Sequence, residues 1–306
     1  MDKVIIHIGY QKTGSTWLQH NLFPKIENFK YYNNRAIIKK DFILQNRLEF
    51  NPKKLKKKYN NISNGLIISH ELLVGGGIHN GGINGILPYD FCDRLYSVFP
   101  DAEIIIFIRN QPDIIASAYN QYLRGGGNLS ISKYLYQDSF RALQKHFFFS
   151  FDFFKYDKII AHYKKIFGEN KVHIFLFEEF QNNPMDFVLN FCNYFDFQCN
   201  INDINFTPLN IKYRKHLKYF LRFSNLFYRR SVLNKYYLFN FDNWFEPMKI
   251  HFNNWNKYKI FGKFESSKEI LKETNYQFIM EYYKASNRKL IEKHGLSKIK
   301  KFDYPL

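Results

Sequence analysis

In four short stretches of the chain the apolar positions run together instead of alternating with polar ones: Val4–Ile8, Gly65–Ser69, Ala102–Ile108 and Val172–Phe177. A strand with one face in water alternates, whereas a strand covered on both faces does not. These runs therefore predict a parallel sheet with helices on both faces. Between and after them, apolar residues recur at helical spacing over Ser15–Phe23, Pro88–Phe99, Pro112–Arg124, Ser132–Lys145, Phe151–Phe167, Pro184–Tyr194, Lys215–Phe227 and Ser267 to about His294. Strands alternating with helices predict a doubly wound α/β fold with a helical C-terminal part, in one domain over 1–306. Sites in such folds lie at the carboxyl ends of the strands. Two glycine clusters, Gly75–Gly77 with Gly81, Gly82 and Gly85, and Gly125–Gly127, predict loops that either line or gate a cleft or are insertion-tolerant surface loops.

The first run passes straight into Gly9-Tyr-Gln-Lys-Thr-Gly-Ser-Thr16 and then into an amphipathic stretch with Trp17, Leu18, Leu22 and Phe23. Strand, glycine turn and helix start together make an anion site, because a helix N-terminus has unpaired N–H groups and a partial positive charge. Gly9 and Gly14 allow close backbone approach to a phosphate, and Thr13, Ser15 and Thr16 bring hydroxyls. A nucleotide-triphosphate P-loop places lysine after its second glycine. Here the spacing Gly9-x4-Gly14 is P-loop-like, but position 15 is Ser and Lys12 precedes Gly14. The third run ends in Arg109, then turns into a helix with Pro112 in its first turn, and Ser117 lies eight residues after Arg109. Arginine offers a planar charged fork and serine a hydroxyl, a pair suited to a second phosphate.

The string Lys12-Thr-Gly-Ser-Thr-Trp17 resembles the 5′-phosphosulfate loop of sulfotransferases that use 3′-phosphoadenosine 5′-phosphosulfate (PAPS). The Arg109…Ser117 pair resembles the 3′-phosphate motif of that family. Tyr283-Lys-Ala-Ser-Asn-Arg-Lys-Leu290 with a final Asp303-Tyr-Pro resembles the C-terminus of many bacterial members. The resemblance implies PAPS as sulfuryl donor, held by Gln11, Lys12, Thr13, Gly14, Ser15, Thr16 and Trp17 and by Arg109 and Ser117. It implies that Lys12 stabilises the departing oxygen, that Trp17 packs near the adenine, and that no metal takes part. The base would come from the end of the second run, Ile67-Ile-Ser-His-Glu-Leu72, where sulfotransferases use a histidine or a glutamate. This chain has both, at His70 and Glu71. A Ser-x-Glu string favours Glu71, with burial expected to raise its pKa toward neutrality, and His70 stands as the alternative.

Composition narrows the rest. No apolar run approaches the roughly 20 residues that span a bilayer. Cys92, Cys192 and Cys199 form no zinc spacing and no disulfide framework, so three reduced thiols in a cytoplasmic protein are expected. The net charge of +18 fits a polyanionic nucleotide, or a compositional bias toward Lys, Asn, Ile, Phe and Tyr, and no nucleic-acid module is present. From Ile204 to Phe241 there is no acid, while Lys212, Arg214, Lys215, Lys218, Arg222, Arg229, Arg230 and Lys235 accumulate. Such a stretch reads as a solvated face, a wall of the nucleotide site or a membrane-surface helix in peripheral contact. Lys53–Lys58 reads as a solvated helix end. His7, His20, His146, His162, His173, His216, His251 and His294 have no ligand spacing. Tyr119, Gln121 and Tyr122 follow Ser117 on one helix and face either a ligand or the core. A P-loop kinase or NTPase is the competing enzyme class, disfavoured by the lysine position and by Arg109 where an Asp for Mg²⁺ would stand. A basic nucleic-acid or membrane-surface binder is the non-enzymatic one. The acceptor, a sugar, glycolipid or other small molecule, is not encoded in any motif.

Overall fold

The computed structural model describes residues 3–60, 65–77, 83, 85–136, 149–207, 212–227, 238 and 251–306. Five strands form one sheet: β1 (Val4–His7), β2 (Lys30–Tyr31), β3 (Leu66–Ser69), β4 (Glu103–Ile108) and β5 (Val172–Leu176). Their order is β2-β3-β1-β4-β5, and every neighbouring pair is parallel. Four of them fall on the continuous apolar runs. The edge strand β2 does not: it is two residues long, with Lys30 exposed, and is held by Lys30 N donating to Gly65 O at 3.1 Å and Tyr32 N to Ile67 O at 2.9 Å.

The pleat divides each apolar run between two cores. Ile6, Ile8, Leu66, Ile68, Ile104, Ile106 and Ile108 enter one, shared with Leu95, Ile115, Tyr163 and Tyr283 from four covering helices. Ile5, Ile67, Ile105 and Phe107 enter the other, with Leu18, Leu22, Phe187, Val188 and Phe191. Covering both faces removes the side chains of β1 and β3, and those of β4 after Glu103, from water, worth about 1.5–3 kcal/mol per large aliphatic residue. β3, β1 and β4 are adjacent and parallel, so the segments beginning at His70, Ile8 and Arg109 all leave the sheet at its carboxyl end.

Three helices start on one local rule. In Pro52–Tyr59, Gln111–Arg124 and Pro184–Phe195 a proline sits in the first turn. Asn51, Asn110 and Asn183 precede them and accept from Lys54 N, Asp113 N and Asp186 N at 3.0, 3.0 and 3.3 Å. In the lysine-rich helix Pro52–Tyr59, Lys58 pairs with Asp41 at 2.5 Å. Other boundaries differ from the expectation. The helix expected from Ser267 to His294 is two, Ser267–Leu271 and Glu273–His294, broken at Lys272 with φ 66°. Asn275 Nδ2 donates to Leu271 O at 2.7 Å and satisfies a carbonyl that the break leaves open. Ser15–Phe23 is an α turn, Ser15–Trp17, followed by a π turn, Leu18–Leu22. Phe151–Phe167 begins as a 3₁₀ turn, Phe151–Phe154, before the helix Tyr156–Phe167. The helix expected over Ser132–Lys145 is described as Ile131–Leu135, and its continuation lies outside the described residues, as do Gly81, Gly82 and His146. Helix Phe177–Asn182, directly after β5, had no counterpart in the sequence pattern. All three cysteines are thiols, and those of Cys192 and Cys199 lie 3.3 Å apart.

Candidate active site

The loop after β1 is built on two left-handed residues, Lys12 (φ 71°) and Gly14 (φ 83°). Glycine adopts this conformation freely, while a lysine there costs about 1–2 kcal/mol and persists only when its surroundings hold it. Thr13 Oγ1 donates to Tyr10 O at 2.6 Å and Ser15 Oγ to the same oxygen at 3.2 Å, and Arg109 Nη1 donates to Lys12 O at 3.3 Å. Thr13 and Ser15 are therefore buried loop braces whose hydroxyls turn inward, not outward as the sequence implied. Gln11, Lys12 and Thr16 are half-buried on the loop, and Trp17 is buried. At Gly9 a side chain would collide with the His7 ring, its Cβ only 2.4 Å from Nε2.

The two motifs separated by about a hundred residues open into one cavity of about 620 Å³, which Lys12, Gly14, Trp17, Arg109 and Ser117 all line. Arg109 reaches it from the end of β4. Its Nη2 pairs with Asp113 at 3.1 Å, its guanidinium lies 4.8 Å from the Phe177 ring centre, and its buried Nε has no protein partner. Asp113, Ser117, Gln121 and Arg124 recur along one face of the helix Gln111–Arg124 and line the same space. The buried Asn120 Oδ1 and Gln121 Oε1 also lack protein partners, and unpaired buried polar atoms in a cavity wall mark places for a ligand to complete. Trp17 forms an aromatic wall with Phe180 at 4.7 Å and stacks with Phe206 at 5.7 Å and 27°. Its Nε1 donates to Asn205 O at 3.0 Å.

A buried polar framework fixes Arg109 from behind. Tyr156 donates its hydroxyl to Arg109 O at 2.7 Å. Glu178 accepts from Asn110 N at 2.7 Å and from Tyr304 at 3.2 Å. Gln111 and Asn287 exchange two side-chain hydrogen bonds of 2.8 and 3.0 Å, and Asn287 Nδ2 also donates to Pro305 O at 2.9 Å. Asn287 and the final Tyr304-Pro305 thus form part of the cavity's support.

Charge is concentrated here. Burial first, then Arg124 and Arg109, bring the Lys12 ammonium down to about 8, with Glu71 pulling the other way. Lys212 and Lys218 line the cavity as well, and Lys218 pairs with Glu265 at 2.5 Å. Other members of the basic stretch serve structure: Arg214 donates to Asn256 O and Gly262 O, both at 2.9 Å, and Arg222 to Asn128 O at 2.7 Å. Arg229, Arg230 and Lys235 lie outside the described residues. Tyr119 and Tyr122 pack in the core, whereas Gln121 faces the cavity. No cluster of three His, Cys, Asp or Glu side chains able to hold a metal ion occurs among the described residues.

His70 and Glu71 follow β3 and are not among the residues lining this cavity. Glu71 is engaged at both oxygens: Arg35 Nη2 meets Oε1 at 2.5 Å and Gln19 Nε2 donates to Oε2 at 3.2 Å. Arg35 Nη1 also donates to Gln19 Oε1 at 2.9 Å, and Gln19 Nε2 to Ser69 Oγ at 3.0 Å. Burial alone would raise the Glu71 pKa, as expected from sequence, but Arg35, His70 and the Gln19 hydrogen bond outweigh it and hold the carboxyl below its ordinary value. His70 is buried, which lowers its pKa to about 4, so the ring is neutral at pH 7. Its Nδ1 accepts from Leu72 N at 3.1 Å, which assigns the ring proton to Nε2. His7 is a core histidine, bonded through Nδ1 to Ser69 Oγ at 2.8 Å, and burial lowers it to about 4. Arg35, Gln19, Phe180 and Phe206 carried no motif and were missed in the sequence. A lone arginine at the start of a four-residue helix, and phenylalanines in a chain with 34 of them, give no signal.

Comparison with solved structures places this architecture. A crystal structure of a sulfotransferase from Alicyclobacillus acidocaldarius superposes with a TM-score of 0.50 at 17% identity, over 69% of this chain and 87% of that one. The chain has a sulfotransferase fold. A mouse sulfotransferase, SULT7A1, complexed with PAP aligns at 14% identity over 66% of this chain and 61% of that one, with a TM-score of 0.35, too distant to extend the comparison. No family model and no curated protein matches the chain. The sulfotransferase fold and the Lys12 and Arg109 cavity thus rest on independent observations, one from shape and one from residues.

Proposed function

We propose that this protein transfers the sulfuryl group of PAPS to the hydroxyl of an acceptor. The observation that carries the reading is the meeting of the Lys12 loop with Arg109 and Ser117 in one aromatic-walled cavity. A mononucleotide with anions at both ends of its ribose matches this layout. The loop's backbone N–H groups face the 5′ group, the Arg109 fork and Ser117 hydroxyl the 3′-phosphate, and Trp17 with Phe206 the adenine. Asn120 and Gln121 offer acceptors to ligand N–H groups.

In the transfer, the acceptor oxygen attacks sulfur as its proton passes to a base, and the bond from sulfur to the bridging oxygen breaks. The charge left on the 5′-phosphate is stabilised by Lys12, an interaction that grows toward the transition state. Glu71 is the assigned base. It is ionised at neutral pH and can take the proton, although Arg35 reduces its basicity. His70 is the alternative, with the drawback that its Nδ1 is occupied by Leu72 N and its Nε2 carries the proton. A lysine before Gly14 and an arginine at the end of β4 weigh against a nucleotide-triphosphate kinase.

Isothermal titration with 3′-phosphoadenosine 5′-phosphate, 5′-AMP and ATP with Mg²⁺ tests the reading. Binding of the bisphosphate well above the other two supports it. A preference for ATP that depends on Mg²⁺ would replace it with the kinase reading.

A further inference from the structure

We propose that the face formed by the helix Lys215–Ser224 and the segment 251–261 docks on an anionic lipid bilayer, so that the acceptor hydroxyl is borne by a membrane lipid. The acceptor half of this statement rests on the sulfotransferase reading, while the docking half does not.

The helix is apolar on two sides. Leu217 and Leu221 are buried, and Lys218 and Leu221 line the nucleotide cavity. On the outer side Tyr219, Phe220 and Phe223 are 57%, 49% and 58% exposed. Spacings of three and four residues put them side by side. Trp255 extends the patch, 6.1 Å from Phe220 and stacked on Phe261 at 6.1 Å. Next to Phe261, Tyr258 and Ile260 are 62% and 85% exposed. Single exposed apolar side chains are ordinary on a protein surface, but a contiguous group this aromatic marks an interaction site.

Charge chooses the partner. Residues 212–227 and 251–264 contain no Asp or Glu, and Lys257 and Lys259 are exposed on either side of the exposed Tyr258. Protein interfaces are depleted of lysine, whereas an interfacial membrane site combines Trp, Tyr and Phe with lysines that reach the headgroups. The same elements that carry the patch outside carry Lys218, Leu221 and Phe252 inside, on the cavity wall. Docking on this face would bring the cavity to the bilayer surface, where a lipid-borne hydroxyl can reach it.

Co-sedimentation with vesicles of phosphatidylcholine, with and without phosphatidylglycerol, tests the proposal. The full chain is expected to pellet with the anionic vesicles, to release on added salt, and to bind neutral vesicles weakly. Tyr219→Ser with Phe223→Ser should lose about tenfold or more in vesicle affinity, since both side chains are exposed apolar contacts. Thermal unfolding and binding of the bisphosphate nucleotide should be unchanged in this variant, which separates a lost surface from a lost fold or a wrong nucleotide site. Lys257→Gln with Lys259→Gln should weaken binding to the anionic vesicles alone. Absence of binding to anionic vesicles, or equal binding by the Tyr219→Ser, Phe223→Ser variant, overturns the proposal. So does a dimer in solution that this variant converts to monomer, since the face would then be an interface between copies.

Discussion

Binding of 3′-phosphoadenosine 5′-phosphate should weaken about tenfold between pH 7 and pH 9, and Lys12 should be the cause. In the free protein burial and the neighbouring Arg124 and Arg109 bring the Lys12 ammonium down to about 8. An anion bound on the loop returns a partner to that ammonium and moves its pKa back up toward the ordinary lysine value. Lys12 is therefore charged in both states below pH 8, and affinity is full there. As pH rises through 8 the free protein loses the proton that the complex keeps, and affinity falls. With a midpoint near 8, Lys12 is charged in about nine molecules in ten at pH 7 and one in ten at pH 9, which sets the tenfold change. The ligand's own phosphates gain rather than lose charge over this range, so they cannot produce the fall. Calorimetry across the range, in buffers of different ionisation enthalpy, should show uptake approaching one proton per nucleotide at pH 9 and little at pH 7. Lys12→Met should bind more weakly at pH 7 and show neither the slope nor the uptake. A flat affinity from pH 7 to 9 in the unmodified protein, or the same slope in Lys12→Met, would refute the placement of Lys12 against the anion.

Arg109→Ala should weaken the bisphosphate by roughly 10- to 150-fold, from about 1.5–3 kcal/mol for a charged hydrogen-bonded contact, and 5′-AMP far less. Equal losses for both nucleotides in a titration would remove the 3′-phosphate role. Glu71→Gln should lower turnover of PAPS with an acceptor strongly while leaving bisphosphate affinity alone, and His70→Asn should do less; the reverse order exchanges their roles. Arg35→Gln removes the largest of the interactions that oppose burial at Glu71, leaving His70 and the Gln19 hydrogen bond, so the acid limb of the pH–rate profile should move up. An unmoved limb would mean that Glu71 is not the titrating group. Asn287→Ala takes the donor from Gln111 Oε1 and Pro305 O in a buried setting, while Gln111 Nε2 keeps Phe154 O at 3.3 Å, and should cost about 1–3 kcal/mol in stability by denaturant unfolding. A loss below about 0.5 kcal/mol would show that these groups find other partners.

Much of the sheet was legible in the sequence because β1, β3 and β4 bury both faces and so write themselves as apolar runs, and the edge strand β5 is apolar enough to do the same although His173, Ile174 and Phe175 are only half-buried. β2 writes nothing, being two residues at an edge whose pairing is purely backbone. The break at Lys272 was invisible because a lysine, not a glycine, takes the left-handed conformation there. Lys12, Arg109 and Ser117 were singled out because an anion site calls for specific residue types at fixed distances from a strand end, and the three do line one cavity. What the spacing could not convey was direction. Thr13 and Ser15 have hydroxyls of the right type, yet both turn to Tyr10 O. Glu71 lies where a base was expected, but burial, which raises its pKa, is outweighed by His70, Gln19 and above all Arg35, 36 positions away in sequence, so the expected upward shift became a downward one. A long-range partner leaves no local pattern.

One nucleotide is expected to join the Lys12 loop to Arg109 and Ser117. A crystal structure of the protein grown with 3′-phosphoadenosine 5′-phosphate should show the 5′-phosphate on the backbone N–H groups of residues 12–17 with Lys12 Nζ in contact, the 3′-phosphate within hydrogen-bond distance of Arg109 and Ser117, and the adenine against Trp17 and Phe206. A nucleotide bound outside this cavity, or lying within it with its 3′-phosphate away from Arg109, would show that the two motifs do not serve one ligand.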